Sequence, residues 1–234
     1  MKVVILAGGL GTRISEETVD KPKPMVLING KPILWHIMNL YARQGFDDFV
    51  VATGYKGEVI SEWVSTLNSP WKIASVDTGL DTQTGGRIQM CMELYPGEKF
   101  FATYGDGIGN INVKKLLKFH NSHGKLATLT AVRPPARFGY LDMKNARVIH
   151  FGEKNQTDAG WINGGFFVLE PKVSSYIHAV SEPFEIGALP RLTFEGELMA
   201  FEHGGFWQPM DTLREKHDLE ELARQGNPPW LREI

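Results

Sequence analysis

The chain has 234 residues, 42% of them apolar, enough for one sizeable core. Its formal net charge is −2, with charges of both signs spread along the chain, which speaks against a nucleic-acid partner and against an acidic disordered tail. A single cysteine, Cys91, excludes an internal disulfide and suits the cytoplasm, while no apolar run has a signal-peptide core or the roughly 18 residues of a membrane span, so a soluble protein with no membrane contact is expected.

In chain order, residues 3–7 are β-branched or apolar throughout, as a buried parallel strand would be. Pro32 suits the first turn of a helix reaching about Arg43. A strand over 48–53, a helix over 57–67 and a strand over 71–77 follow. Next come a helix over 86–94, a strand over 99–104, a helix over 112–123 that Asn112 can cap, and a strand over 126–132. This alternation argues an α/β fold, Rossmann-like, with a mostly parallel mixed central sheet flanked by helices. After Pro134-Pro135 the rhythm changes. Short extended runs at 139–143, 147–151 and 165–169 have few helices between them, and a last helix covers about 211–224. The chain reads as a single domain, 1–234. Its first half, 1–133, is nucleotide-binding. Its second, 134–234, is a small β-rich acceptor-binding part with the C-terminal helix.

The first strand empties into Gly8-Gly9-Leu10-Gly11-Thr12-Arg13, and Pro22-Lys23-Pro24-Met25 follows. A strand that runs into glycines brings backbone N–H groups against phosphate oxygens. Arg13 and Lys23 add two cations to the same loop, which points to a nucleoside triphosphate. The loop is not a dinucleotide fingerprint, since Ile14 holds the third glycine position and no acidic residue is clearly placed about 20 residues on. It is not a Walker loop either, since no Gly-Lys-Ser/Thr follows.

Tyr104-Gly105-Asp106-Gly107 closes an apolar strand, where an open α/β sheet binds its ligands. Asp106 between glycines could reach a metal, or simply sit in a tight turn. Asp211, after Phe206-Trp207-Gln208-Pro209-Met210, could equally cap the final helix. Taken together, the two carboxylates match what Mg²⁺ takes alongside phosphate oxygens and water. Glu153-Lys154 and Trp161-Ile162-Asn163-Gly164-Gly165 offer a phosphate-binding cation and hydroxyl-binding groups, or a solvated pair and a turn. Thr82-Gln83-Thr84-Gly85-Gly86-Arg87 opens a helix and could read a base edge, or merely cap it. His120 and His123 lack a nearby acidic ligand in sequence, His203-Gly204-Gly205 has no Gly-x-Ser-x-Gly beside it, and Cys91 reads as core.

These motifs, in this order, resemble the sugar-nucleotide pyrophosphorylases over essentially the whole chain. Ser15-Glu16-Glu17-Thr18, Lys31-Pro32-Ile33-Leu34-Trp35-His36, Thr84-Gly85-Gly86-Arg87, Trp161-Ile162-Asn163-Gly164-Gly165 and the run from Phe206 to Leu213 resemble the cytidylyltransferase branch. The resemblance implies Mg²⁺-dependent reaction of CTP with a sugar 1-phosphate, glucose 1-phosphate in that branch, in a homo-oligomer. It implies that Arg13 and Lys23 hold the triphosphate and that Asp106 and Asp211 hold Mg²⁺. It places Gly8, Gly9, Gly11, Thr12, Thr84, Gly85 and Gly86 at the nucleotide, and Glu153, Lys154, Asn163 and Gly164 at the acceptor.

The chain departs from the branch in three places. The connection between Trp63 and Trp71 is short, Asn155 follows Glu153-Lys154 where Pro is usual, and the run from Phe184 to Pro190 resembles its counterpart only loosely. The last two lie in the acceptor half, so another phosphorylated acceptor stays open. A catalytically silent nucleotide-binding subunit is the contrasting expectation, against which all four of Arg13, Lys23, Asp106 and Asp211 are present. A dinucleotide-dependent oxidoreductase would need the missing third glycine.

Overall fold

The computed structural model describes residues 1–134, 139–144, 146–153 and 160–232. In chain order the elements are β1 (Val3–Ala7), α1 (Ser15–Thr18), β2 (Leu27–Ile28), β3 (Lys31–Pro32), α2 (Ile33–Ala42), β4 (Asp48–Thr53), α3 (Gly57–Thr66) and β5 (Lys72–Asp77). Then come α4 (Thr84–Leu94), β6 (Phe100–Tyr104), β7 (Gly107–Gly109), α5 (Val113–His123), β8 (Ala127–Val132), β9 (Gly139–Lys144) and β10 (Arg147–Glu153). The chain closes with β11 (Ile162–Asn163), β12 (Phe167–Leu169), α6 (Ala188–Phe194), β13 (Leu198–His203), β14 (Trp207–Pro209) and α7 (Leu213–Arg224).

The main sheet of the described residues has eight strands, and β1 lies inside it between β4 and β6, parallel to both. All five residues of β1 are buried. Val3, Ile5 and Ala7 join the core on one face of the sheet, and Val4 and Leu6 join the core on the other. A strand covered by helices on both sides has no reason to alternate apolar with polar residues. Parallel β4–β5 pairing extends the sheet on one side, and β12, antiparallel to both β6 and β8, extends it on the other. β13 runs parallel to β8, so strands from both halves of the chain share this sheet. Among the helices before β8, α5 carries a side-chain cap. Asn112 caps α5 through its side chain, and Gly124 ends that helix at φ 67.

The expected alternation over 1–132 appears with boundaries moved by a residue or two. The second half holds more order than its short runs suggested. α6, β13 and the β7–β14 ladder have weak local signals and are fixed by what they pair with.

Candidate active site

The carboxyl ends of β1 and β6 open into a cleft of about 570 Å³. It is lined by Gly8, Gly9, Gly11, Thr12 and Arg13 after β1, by Asp81, Thr82, Gln83, Thr84 and Arg87 around the start of α4, and by Tyr104, Asp106, Lys23 and Asp211. A parallel sheet binds ligands there because strand ends and helix starts leave unpaired backbone groups.

The glycine loop is shaped by close approaches. Gly11 has φ +66, and a Cβ there would lie 2.9 Å from Thr18 Cγ2. Thr18 Oγ1 donates to the Gly11 carbonyl at 3.2 Å, folding the loop back on itself. A short 3-10 turn, Lys23–Met25, follows Pro22 and buries Lys23 with Pro24 and Met25. Lys23 therefore enters the cleft from a rigid, packed base.

The two acidic candidates meet through tertiary structure alone. β7 and β14 pair antiparallel, with Gly107 opposite Pro209, and the Met210 N–H donates to the Asp106 carbonyl at 2.8 Å. The ladder thus sets Asp106, just before β7, beside Asp211, just after β14. Lys23 Nζ lies 2.7 Å from Asp106 Oδ2 and 2.5 Å from Asp211 Oδ1. Burial lowers the Lys23 pKa, but the two carboxylates outweigh it and hold the ammonium above its ordinary range. Arg13 Nη1 approaches Asp211 Oδ2 at 3.3 Å from a largely exposed position, so it can swing to a ligand at little cost.

Asp211 is not the cap of α7. Thr212 fills that role, accepting from the Glu215 N–H at 3.3 Å, while Glu215 Oε2 accepts from the N–H groups of Thr212 at 3.0 Å and Asp211 at 2.7 Å. The capping box leaves the Asp211 side chain to the cleft. Among the described residues no three His, Cys, Asp or Glu side chains gather as a metal site. Two carboxylates drawn together around one cation nevertheless suit a hard divalent ion that completes its shell with phosphate oxygens and water.

Arg87 has no role legible in its motif, and the structure supplies one. It is 4% exposed, and its guanidinium donates to the carbonyls of Gly8 at 3.0 Å, Thr53 at 2.8 Å and Gly79 at 3.0 Å, and to the Thr78 hydroxyl. Those acceptors sit at the ends of β1, β4 and β5, so one side chain ties three strand ends together. Gly8 is small for the same reason, since a Cβ there would lie 2.1 Å from the Arg87 Cζ. Burial lowers the Arg87 pKa, yet a guanidinium keeps its charge. The signal was present in the sequence as an arginine at helical spacing from Gln83, with nothing to say where it points.

Gly85 and Gly86 face the other way. A Cβ on Gly85 would lie 2.5 Å from the Glu182 carbonyl, and one on Gly86 would lie 2.3 Å from the Val180 carbonyl. They let α4 dock on residues 180–184, and Thr82, Thr84 and Arg87 line the cleft beside them. Asn163 lies next to the cleft, with its Nδ2 donating to the Tyr104 hydroxyl at 3.0 Å. The Gly164 carbonyl accepts from Trp207 Nε1 at 3.0 Å. Glu153 ends β10 opposite Gly139, and Lys154 lies outside the described residues.

A glycine loop facing a buried lysine and paired carboxylates, on a Rossmann-like mostly parallel sheet, defines a protein built to transfer a nucleotidyl group. The chain belongs to the nucleotidyl transferase family, whose model matches residues 2–212. It is 49% identical to the glucose-1-phosphate cytidylyltransferase of Salmonella typhimurium, over 98% of each chain, and 41% identical to a probable glucose-1-phosphate cytidylyltransferase of Bacillus subtilis, over 98% of this chain and 99% of that one. The Salmonella alignment runs over 253 positions against 234 residues here, so that relative carries residues this chain lacks. Among solved structures, HddC from Yersinia pseudotuberculosis complexed with GMP-PN superposes with a TM-score of 0.73 at 27% identity, covering 94% of this chain and 98% of that one. The family generally uses a divalent metal. Among the described residues no helix is long and apolar enough to cross a membrane.

Proposed function

We propose that the protein transfers CMP from CTP to glucose 1-phosphate, releasing pyrophosphate and forming CDP-glucose, with Mg²⁺ as the metal. Identity of 49% across the full length to a glucose-1-phosphate cytidylyltransferase carries the choice of substrates. The convergence of Lys23, Asp106 and Asp211 below the glycine loop supports the chemistry.

The acceptor is a phosphate monoester whose second pKa is about 6, so it is mostly dianionic at pH 7 and needs no general base. One of its oxygens attacks the α-phosphorus of CTP, a P–O bond forms, and the bond to the β-phosphate oxygen breaks. Both reactants are anions, so the enzyme must align them and neutralise their charge. Gly8, Gly9, Gly11 and Thr12 line the triphosphate wall, and Arg13 and Lys23 leave their carboxylates to meet phosphate oxygens. Asp106 and Asp211 would hold Mg²⁺, which would supply positive charge to the reacting phosphates. Thr84 stands on the base and ribose side, with Gly85 and Gly86 setting its position. Glu153, Asn163 and Gly164 serve the glucose hydroxyls, and Lys154 serves the acceptor phosphate. The protein works in the cytoplasm, as a homo-oligomer.

Pyrophosphate release measured across four NTPs and a panel of phosphorylated acceptors tests this reading. The expected maximum is CTP with glucose 1-phosphate. Equal release with UTP or dTTP would overturn the choice of base. Maximal release with a different acceptor would overturn glucose 1-phosphate.

A further inference from the structure

Beyond the residues that line the cleft, a carboxylate from a different part of the chain joins its two sides. Glu185 Oε1 accepts from the Tyr104 hydroxyl at 2.5 Å, and its Oε2 accepts from the Thr84 hydroxyl at 2.7 Å. Tyr104 ends β6 and lines the cleft, and Thr84 opens α4 on the nucleotide side. The Thr84 oxygen in turn accepts the Phe184 N–H at 2.8 Å, so carboxylate and helix start are locked to each other.

The proton inventory leaves little freedom. Tyr104 spends its only proton on Glu185, so its oxygen faces Asn163 as an acceptor, and Asn163 Nδ2 donates to it at 3.0 Å. Asn163 Oδ1 accepts from the Gly165 N–H at 2.9 Å. Turning the amide over would set its oxygen against an acceptor and its NH₂ against an N–H, losing both bonds. Gly165, at φ +75, lets the Tyr104 ring lie against it, since a Cβ there would be 2.9 Å from Tyr104 Cδ2.

We propose that Glu185 is a positioning residue: through Tyr104 it fixes the Asn163 amide for the sugar of the acceptor, and through Thr84 it ties that amide to the nucleotide helix. The inference rests on the assignment of Asn163 to glucose 1-phosphate made above. The carboxylate matters because two donors converge on it. A glutamine at 185 has one acceptor oxygen and can satisfy only one of Tyr104 and Thr84. Whichever way it sits, an NH₂ faces a hydroxyl that already serves another partner.

Steady-state kinetics with both substrates varied test the relay. Glu185→Gln and Tyr104→Phe should each raise the KM for glucose 1-phosphate by about 5- to 10-fold, the worth of one net hydrogen bond, and Tyr104→Phe, which leaves the Glu185–Thr84 bond intact, should keep the KM for CTP within about twofold of wild type. The double variant should be no worse than the poorer single variant, because both changes break one chain of bonds. Tyr104→Phe keeps the ring packed on Phe167 and Gly165, and its melting temperature reports any loss of fold. Wild-type enzyme that turns over CTP and glucose 1-phosphate, with variants of lower melting temperature but unmoved KM values, would reduce Glu185 to a packing role and overturn the relay alone. Additive losses in the double variant would do the same. A wild type that releases no pyrophosphate from this pair would overturn the substrate reading and, with it, the acceptor role of Asn163.

Discussion

Lys23 occupies the place between Asp106 and Asp211 that a divalent ion would share. A buried ammonium and a metal would compete there for the same oxygens, so the proposed reaction requires Lys23 to leave them for the triphosphate when nucleotide and metal arrive together. In the absence of nucleotide, Lys23→Ala should therefore bind Mn²⁺ at least about tenfold more tightly than wild type while losing turnover. Titration followed by electron paramagnetic resonance reads this directly, and weaker Mn²⁺ binding in the variant would refute the competition. Asp211→Asn should lower turnover by at least about 10²-fold with the circular dichroism spectrum unchanged, because it removes one of the two carboxylates proposed to hold the metal without altering the backbone. At this scale the sequence was informative where chemistry demands a residue type. Glycines after an apolar strand, two cations and two aspartates could be named in advance. The aim of Arg87 and the partners of Glu185 could not, because nothing local fixes where a long side chain points.

Among the elements, α7 and α4 do the positioning. Glu215 in the first turn of α7 holds the N–H groups of Asp211 and Thr212, so the helix cap and the carboxylate in the cleft form one unit. Thr212→Ala should cost about 1 kcal/mol of stability by urea unfolding and should also raise the metal concentration needed for half-maximal activity. A stability loss with unchanged metal dependence would separate the cap from the site. In α4, Gly85 and Gly86 permit backbone-to-backbone contact with residues 180–184. Gly86→Ala forces a methyl into the Val180 carbonyl and should destabilise the fold by about 1–3 kcal/mol, shifting the urea midpoint without a change in m-value. Strong periodic elements such as β1, β4 and α5 could be read from the chain to within a residue or two, since burial on both faces or on one stripe writes itself into composition. β13 and β14 could not, because short strands take their state from the partner across the ladder.

For the whole molecule, burial of neutral histidines sets the response to acid. His36 accepts from Trp230 Nε1 through Nδ1 at 3.2 Å, so its Nε2 carries the proton that meets the Ile28 carbonyl at 2.9 Å. His123 accepts the Lys125 N–H through Nδ1, and its Nε2 then donates to Thr128, whose hydroxyl donates to His120. His120 Nε2 completes the chain at Glu170, 3.2 Å away. Burial is the largest influence on His36, His120, His123 and His203, and it lowers each pKa below 6.5. The unfolded chain therefore binds protons that the folded chain refuses once the pH drops below 6.5, so stability is full above that value and declines beneath it. Glu170, held below its ordinary range although burial opposes it, because Lys99 and His120 donate to its carboxylate, adds a further loss below 4.5. The urea midpoint should be lower at pH 5.5 than at pH 7.5, and equal midpoints would contradict the lowering of these histidine pKa values by burial.

The class of fold and the glycine loop after β1 were legible in the chain, because buried parallel strands and glycine turns each leave a local signature. Which residues meet in the cleft follows from packing between distant segments. Lys23 reaches carboxylates 83 and 188 positions away, and Tyr104 reaches Glu185 81 positions on. Such contacts depend on a ladder between β7 and β14 and on a helix docked through two glycines. Distance along the chain carries no trace of them, because packing chooses partners by shape and charge after the elements have formed.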